Sequence, residues 1–201
     1  MASAVTEKLN VLGVAGSTRE GSYSSRALKM ALDNAKKYGA QVRLLELGKT
    51  VLPLYDPNRE LSMEIQYAAE AVGWAGAFIL ASPDYHGSMS GALKNFLDHF
   101  FEEFAGKLFG YIVASHEKGL TVMEQMRTAV RQCYGWSMPY GVSINSEQDF
   151  SPDGEMANIR LAKRVQMMSR DLVIYGRLIN SQFIQDIGSS EPHTFAARYR
   201  P

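Results

Sequence analysis

Short apolar runs alternate with amphipathic stretches along most of the chain, and this alternation constrains the fold more than any single motif. Residues 9–15 form an apolar run that stops at Gly16, the pattern of a buried strand. Residues 24–38 read as a helix: Ala27, Leu28, Ala31, Leu32 and Ala35 make one stripe, and Gly39 sits where a C-terminal cap belongs. Residues 41–47 give a second strand through Val42, Leu44 and Leu45, and 48–59, with two prolines, a long loop. Ser62 caps a second helix whose inward positions are Ile65, Ala68, Ala69 and Val72. Residues 77–81 are uninterruptedly apolar, as in a central parallel strand buried on both faces. A third helix starts near Gly91, with Leu93, Phe96, Leu97, Phe100 and Phe101 at helical spacing. A fourth strand at 108–114 precedes a helix at 119–134 that turns Val122, Met126, Ala129, Val130 and Cys133 inward. A fifth strand at 140–144, a polar loop at 146–154 and a last helix from 157 to about 175 complete the series. The tail, 176–201, has no clear period.

Five strand–helix units in alternation imply an α/β fold, a parallel sheet with helices on both faces. Right-handed crossovers leave few topologies, and five strands favour the flavodoxin-like order 2-1-3-4-5 over a six-stranded Rossmann sheet. With 201 residues, 46% hydrophobic, the chain suits one domain, its core at about 9–175 and its tail at 176–201. Lys+Arg and Asp+Glu both number 21 and no basic stripe is visible, which argues against a nucleic-acid partner. Near-zero net charge leaves self-association open. Cys133, the one cysteine, excludes an intrachain disulfide, and no Cys/His cluster has zinc spacing. One thiol and ten methionines suit a reducing compartment. Residues 1–10 hold no long apolar region, and the run at 11–15 is too short for a signal peptide or membrane span, so a cytoplasmic protein is expected.

In a doubly wound sheet the ligand sits beyond the carboxyl ends of the strands where their order reverses, here between strands one and three. The loop after strand one runs from Gly16 to Ser25 and carries Ser17, Thr18, Arg19, Ser22, Tyr23 and Ser24 as candidate ligand contacts. A helix start offers free N–H groups and the positive end of a dipole; hydroxyls and a guanidinium fork complete a phosphate cup. The same residues also suit an unliganded turn, with Ser24 or Ser25 as the helix cap. The missing Gly-x-x-x-x-Gly-Lys-Ser/Thr disfavours a triphosphate P-loop, and the absent third glycine of the dinucleotide fingerprint makes a dinucleotide site the weaker reading.

The loop after strand three, 82–91, offers Pro83, Asp84, Tyr85, His86, Gly87 and Ser88. Glycines allow close approach to a flat ligand, and Tyr85 and His86 bring ring faces and donors. An ordinary turn, with Ser88 or Ser90 as a cap, suits the same residues. The loop after strand four, with Ser115 and His116, flanks the far side of such a ring; a solvated loop histidine is the plain alternative. A phosphate at one end and a flat polar ring at the other describe FMN.

The stretch Gly16-Ser17-Thr18-Arg19-x-x-Ser22-x-Ser24 resembles the phosphate loop of the NADPH-dependent FMN reductase family. Residues 82–95, Ser-Pro-Asp-Tyr-His-Gly-Ser-Met-Ser-Gly-Ala-Leu-Lys-Asn, resemble that family's flavin-ring loop and the helix after it. The likeness runs from about residue 10 to 144. It implies that Ser17, Arg19, Ser22 and Ser24 hold the FMN phosphate and that 83–88 line the ring, largely through backbone. It also implies a dimer or tetramer with the site near a subunit interface. The loop 115–119 departs from the family's glycine-rich form, being bulkier and more polar.

The expected activity is two-electron hydride transfer from NADPH or NADH through FMN to a small-molecule acceptor: a flavin, quinone, azo compound or metal oxyanion. No side chain is assigned as catalytic. His86 and His116 are the loop histidines placed to give a proton to a reduced acceptor. Two alternatives stay open: a flavodoxin-like electron carrier, disfavoured because small carriers are typically acidic and this chain is neutral, and a non-catalytic FMN-binding protein using 186–201. A hydrolase of similar layering is disfavoured by the missing Gly-x-Ser-x-Gly.

Overall fold

The computed structural model describes residues 8–58, 60–145 and 148–201. The end of the predicted loop 48–59, the start of the loop 146–154, and residues 1–7 of the region read for a leader lie outside the described residues.

The elements run β1 (Asn10–Ala15), α1 (Tyr23–Lys37), β2 (Gln41–Glu46), α2 (Met63–Trp74), β3 (Ala77–Pro83), α3 (Gly91–Asp98), β4 (Leu108–Ala114), α4 (Leu120–Gln132), β5 (Trp136–Ser137), β6 (Val142–Ile144) and α5 (Ile159–Gly188). The sheet is parallel throughout, with the order β2-β1-β3-β4-β5 as expected, and β6 also pairs with β4. Alternation along the buried strands feeds two cores. Leu12, Val14, Phe78 and Leu80 face α2, α3 and α4, while Val11, Ala15, Ile79 and Ala81 face α1 and α5. In the first core Phe78 and Phe109 stack at 4.5 Å, and Phe104 meets both edge-on at 5.4 and 5.2 Å.

The fifth position departs from the predicted strand 140–144. Two short pieces share it, β5 beside Leu108 and Phe109, and β6 beside Ile112 to Ala114. Pro139 has no N–H to give the ladder. Gly141 packs so tightly that a Cβ there would lie 2.9 Å from the Tyr111 carbonyl.

Other differences have local causes. Ser22, not Ser24 or Ser25, caps α1 by accepting the Ser25 N–H, so both later serines fall in the first helical turn. Ala69 is exposed and Ala71 takes the inward place in α2. Helix α3 stops at Asp98, which ends the helical phase and leaves Phe101 exposed. The last helix continues to Gly188 rather than ending near 175, and a 3-10 turn at Phe195–Tyr199 follows, so much of the aperiodic tail is ordered structure.

Lys107, just before β4, donates to the Val72 carbonyl at 2.9 Å and lies over the Phe78 ring. Burial pushes its amine down to about 8, with Glu103 offsetting part of the effect. Between that value and the ordinary lysine value of 10.5 the unfolded chain binds more protons than the folded one, so stability rises with pH through that window. Below it the buried charge is a standing cost. Lys107→Met is expected to stabilise the fold at pH 7 by about 1–2 kcal/mol, an advantage that disappears near pH 10.5. Urea melts at both pH values measure it; a less stable variant at pH 7 would mean the Val72 bond outweighs desolvation.

Candidate functional site

Strands β1, β3 and β4 end at Ala15, Pro83 and Ala114 along one edge of the sheet, so the three candidate loops open side by side. Hydrogen bonds join the first two. The Gly16 N–H donates to the Ala81 carbonyl at 2.8 Å, and the Ser90 hydroxyl donates to the Gly16 carbonyl at 2.6 Å. Ser90 also caps α3 by accepting the Leu93 N–H, and its own N–H donates to Ser82 Oγ. The chain must carry glycine at 16, because a Cβ there would sit 2.9 Å from both the Ala81 carbonyl and Leu93 Cβ.

The first loop is built as an anion-receptive helix start. Helix α1 has no acidic residue in its first turn. Ser22 Oγ lies 3.2 Å from the Ser24 hydroxyl and 2.8 Å from that of Ser25, a cluster whose protons can reorient. Ser17 is buried, and its hydroxyl accepts the Arg19 N–H at 3.2 Å. Thr18 and Arg19 are exposed; Thr18 lies against Gly48, and Arg19 makes no ion pair among the described residues. The Tyr23 ring packs on Phe150 at 5.2 Å under the Arg26 guanidinium. Arg26 Nε donates to the Gly21 carbonyl at 2.9 Å and so fastens the loop from below.

The second loop is a braced two-residue turn. Tyr85 and Ser88 exchange N–H···O bonds of 3.0 and 3.1 Å around His86 and Gly87, whose φ values are +58° and +74°. Positive φ at both central residues is the mark of a type I′ turn. Asp84 spends its carboxylate internally: Oδ1 accepts the Gly87 N–H and Oδ2 accepts the Ser115 hydroxyl, both at 2.8 Å. Tyr85, His86 and Gly87 are left exposed at the rim, with Pro83 half-buried behind them. In the third loop Ser115 is buried by this bond, whereas His116 is exposed and its carbonyl accepts Asn145 Nδ2.

Two residues that position the loops were not picked out in the sequence, Arg26 and Gln125. Gln125 Oε1, on α4, accepts from Ser88 Oγ at 2.9 Å and from the Met89 N–H at 3.2 Å, and Nε2 donates to the Gly87 carbonyl at 3.4 Å. A polar residue beside an apolar stripe gives no sequence signal for such a clamp. Gln125→Leu is expected to weaken FMN binding roughly tenfold with a small loss of stability, since about 1–2 kcal/mol of hydrogen bonding leaves the turn. Flavin fluorescence titration checks this; an unchanged affinity would mean the turn holds itself.

A doubly wound parallel sheet, with an anion-receptive helix start and a braced turn joined at its switch point, defines an α/β protein of the flavodoxin-like class. The sequence profile of the NADPH-dependent FMN reductase family matches residues 9–149, and the chain belongs to that family. An NAD(P)H-dependent FMN reductase of Pseudomonas aeruginosa is 32% identical over 97 residues, 47% of this chain and 51% of the relative, so the chain spans about half of that protein. An FMN-dependent NADPH-azoreductase of Staphylococcus saprophyticus is 26% identical over 147 residues, 68% of this chain and 77% of the relative. The flavoenzyme NAD(P)H:(acceptor) oxidoreductase FerB of Paracoccus denitrificans shares the fold with a TM-score of 0.72 at 17% identity, over 85% of this chain and 98% of that one.

Proposed function

We propose that the chain holds FMN across the first two loops and passes two electrons from NAD(P)H to a small-molecule acceptor of the flavin, quinone or azo class. The observation that carries this reading is the joint at Gly16, Ala81 and Ser90, which sets a helix-start anion cup directly beside a rigid turn. The donor set fits the cofactor. Ser17, Thr18, Arg19, Ser22 and Ser24 bring hydroxyls, N–H groups and a guanidinium for a phosphate, with Glu20 the one carboxylate in the loop. Pro83 to Ser88, with Ser115 and His116 opposite, offer backbone groups and open glycine surface to a flat ring; a Cβ at Gly87 would meet nothing within 4 Å.

When bound, FMN supplies hydride and electron transfer. The protein's part is to fix the phosphate and seat the ring against 83–88. The exposed His86 and His116 present imidazoles to the solvent side, where a reduced acceptor takes up a proton. The purified protein is expected to show a flavin spectrum that NADPH bleaches without air, and steady NADPH oxidation when acceptor is added. Bleaching without turnover would mark an electron carrier, and a colourless protein that does not take up FMN would overturn the reading.

The reading extends to a homodimer or homotetramer. Val51, Leu54, Leu61 and Met63 are between 67% and 81% exposed and border a loop that Asn95 and His99 pin to α3. Sedimentation velocity tests it, and a monomer at micromolar concentration would remove it. The single thiol, Cys133, supports a cytoplasmic location, which cell fractionation checks.

A further inference from the structure

A second cleft lies away from the loop edge, where α4 ends and the chain turns into β5. It is an open surface groove of about 570 Å³, lined by Glu124, Arg127, Arg131, Tyr134 and Trp136, with Phe195 of the C-terminal turn on one side. β5 pairs with Leu108 and Phe109 at the start of β4, whereas the flavin loops follow Ala114 at its end. At strand rise the two ends of β4 lie about 20 Å apart, and α4 runs between them, with Glu124 on the cleft side next to Gln125 on the turn side.

Three observations mark the cleft as built for a ligand. The first is charge. Arg127 pairs with Glu124 and lies over the Tyr111 ring at 5.7 Å, but its Nε is buried with no acceptor. A buried donor left unpaired costs about 1–3 kcal/mol. Arg131, one turn further along the helix, has only Thr128 Oγ1 at 3.4 Å and makes no ion pair among the described residues. Two guanidinia against one carboxylate leave the cleft positive.

The second is backbone strain. α4 ends in a Schellman turn: the Gly135 N–H bonds the Val130 carbonyl at 3.0 Å and the Tyr134 N–H bonds that of Arg131 at 3.1 Å. The left-handed position of that turn normally takes glycine, yet here it is Tyr134, at φ +61°. That choice costs about 1–2 kcal/mol. The neighbouring glycine is not interchangeable with it, because a Cβ at 135 would lie 2.6 Å from Val130 Cγ1 and 2.9 Å from Phe109 Cε2. Strain kept at a tyrosine points to use of its side chain.

The third is aromatic surface. The Tyr134 ring is gripped between Phe101 at 5.5 Å and Phe195 at 4.8 Å, while Trp136 stands 59% exposed on the edge strand. Stacking faces beside paired guanidinia match a flat ring that carries a negative group.

We infer that this cleft binds a planar aromatic anion, an aryl carboxylate, at a site separate from the flavin loops. The carboxylate meets Arg131 beside the Arg127 guanidinium, and the ring lies against Trp136 and Tyr134.

The test uses protein carrying Trp74→Phe, which leaves Trp136 as the only tryptophan, titrated with benzoate with and without added FMN. The expected result is saturable quenching of Trp136 with a Kd of about 1 mM or tighter, together with an unmoved flavin spectrum. Exposed Arg131 tolerates replacement, and Arg131→Gln weakens binding at least roughly fivefold, as loss of a charge-assisted bond requires. Cyclohexanecarboxylate binds more weakly than benzoate. Four results would overturn the proposal: no saturation; benzoate acting on the flavin spectrum while Trp136 is silent; inorganic phosphate binding as well as benzoate; or a Trp136 signal that follows protein concentration, which would make this face a contact with a second copy. The binding readout stands whether or not the protein takes up FMN.

Discussion

Ser90→Ala is expected to lower the unfolding free energy by about 3 kcal/mol and to impair FMN retention with it. Ser90 is 4% exposed, and its hydroxyl serves both loops at once, donating to the Gly16 carbonyl and capping α3 through the Leu93 N–H. Losing a cap costs about 1 kcal/mol, and leaving the buried Gly16 carbonyl without its donor adds about 1–3 kcal/mol. No water replaces the hydroxyl without room, and Leu93 Cβ and the Ala81 carbonyl already crowd Gly16. Urea unfolding followed by circular dichroism measures the first effect and flavin titration the second. Ser90→Thr keeps the hydroxyl and is expected to recover most of both. A Ser90→Ala protein of parental stability would mean the two loops are held by the Gly16 to Ala81 bond alone.

Arg19→Gln is expected to weaken FMN binding by about thirtyfold, from a charge-assisted phosphate contact of about 2 kcal/mol. Riboflavin, which has the same ring and no phosphate, is expected to bind the variant and the parent alike. The side chain is exposed, so the fold is indifferent to the change. Raising salt is expected to narrow the gap between the two proteins, as it does for exposed charges. If both ligands lost affinity equally, Arg19 would act on the ring or the loop, and the cup would belong to the hydroxyls alone.

The parts of this molecule that were legible in the sequence are those with a period or a punctuation mark. Residues 77–81 and 108–114 are apolar runs inside strands β3 and β4, and Gly16 and Ser90 end or begin elements, so the order of the sheet and the position of the loops could be read directly. Ser22 was harder, because three serines in four positions compete for one cap and only the backbone at 22 decides. Arg26 and Gln125 act across space on carbonyls and N–H groups, and such bonds leave no pattern in the chain. The second half of α5 hid for another reason. Beyond Val173 only Gly176 is fully buried, while Leu178 and Ile184 face outward, so the helix continues without the stripe that announces one. The assignment of particular residues to a phosphate and a ring rested on family likeness, which spacing alone could not replace.

The divided fifth strand bears on how the molecule behaves when crowded. A long straight outer strand presents a row of free N–H and C=O groups that another chain can extend into a growing sheet. Here the outermost run is two residues, a proline-bearing break, and three more, so no partner strand finds more than a short stretch to copy. At the opposite border β2 shows Gln41 and Arg43 outward, with Arg43 committed to Glu70 and the Trp74 ring. A chain with no net charge has little electrostatic repulsion to keep its copies apart, so opposition to edge-to-edge pairing falls to the interrupted β5–β6 border and to the charged side chains of β2.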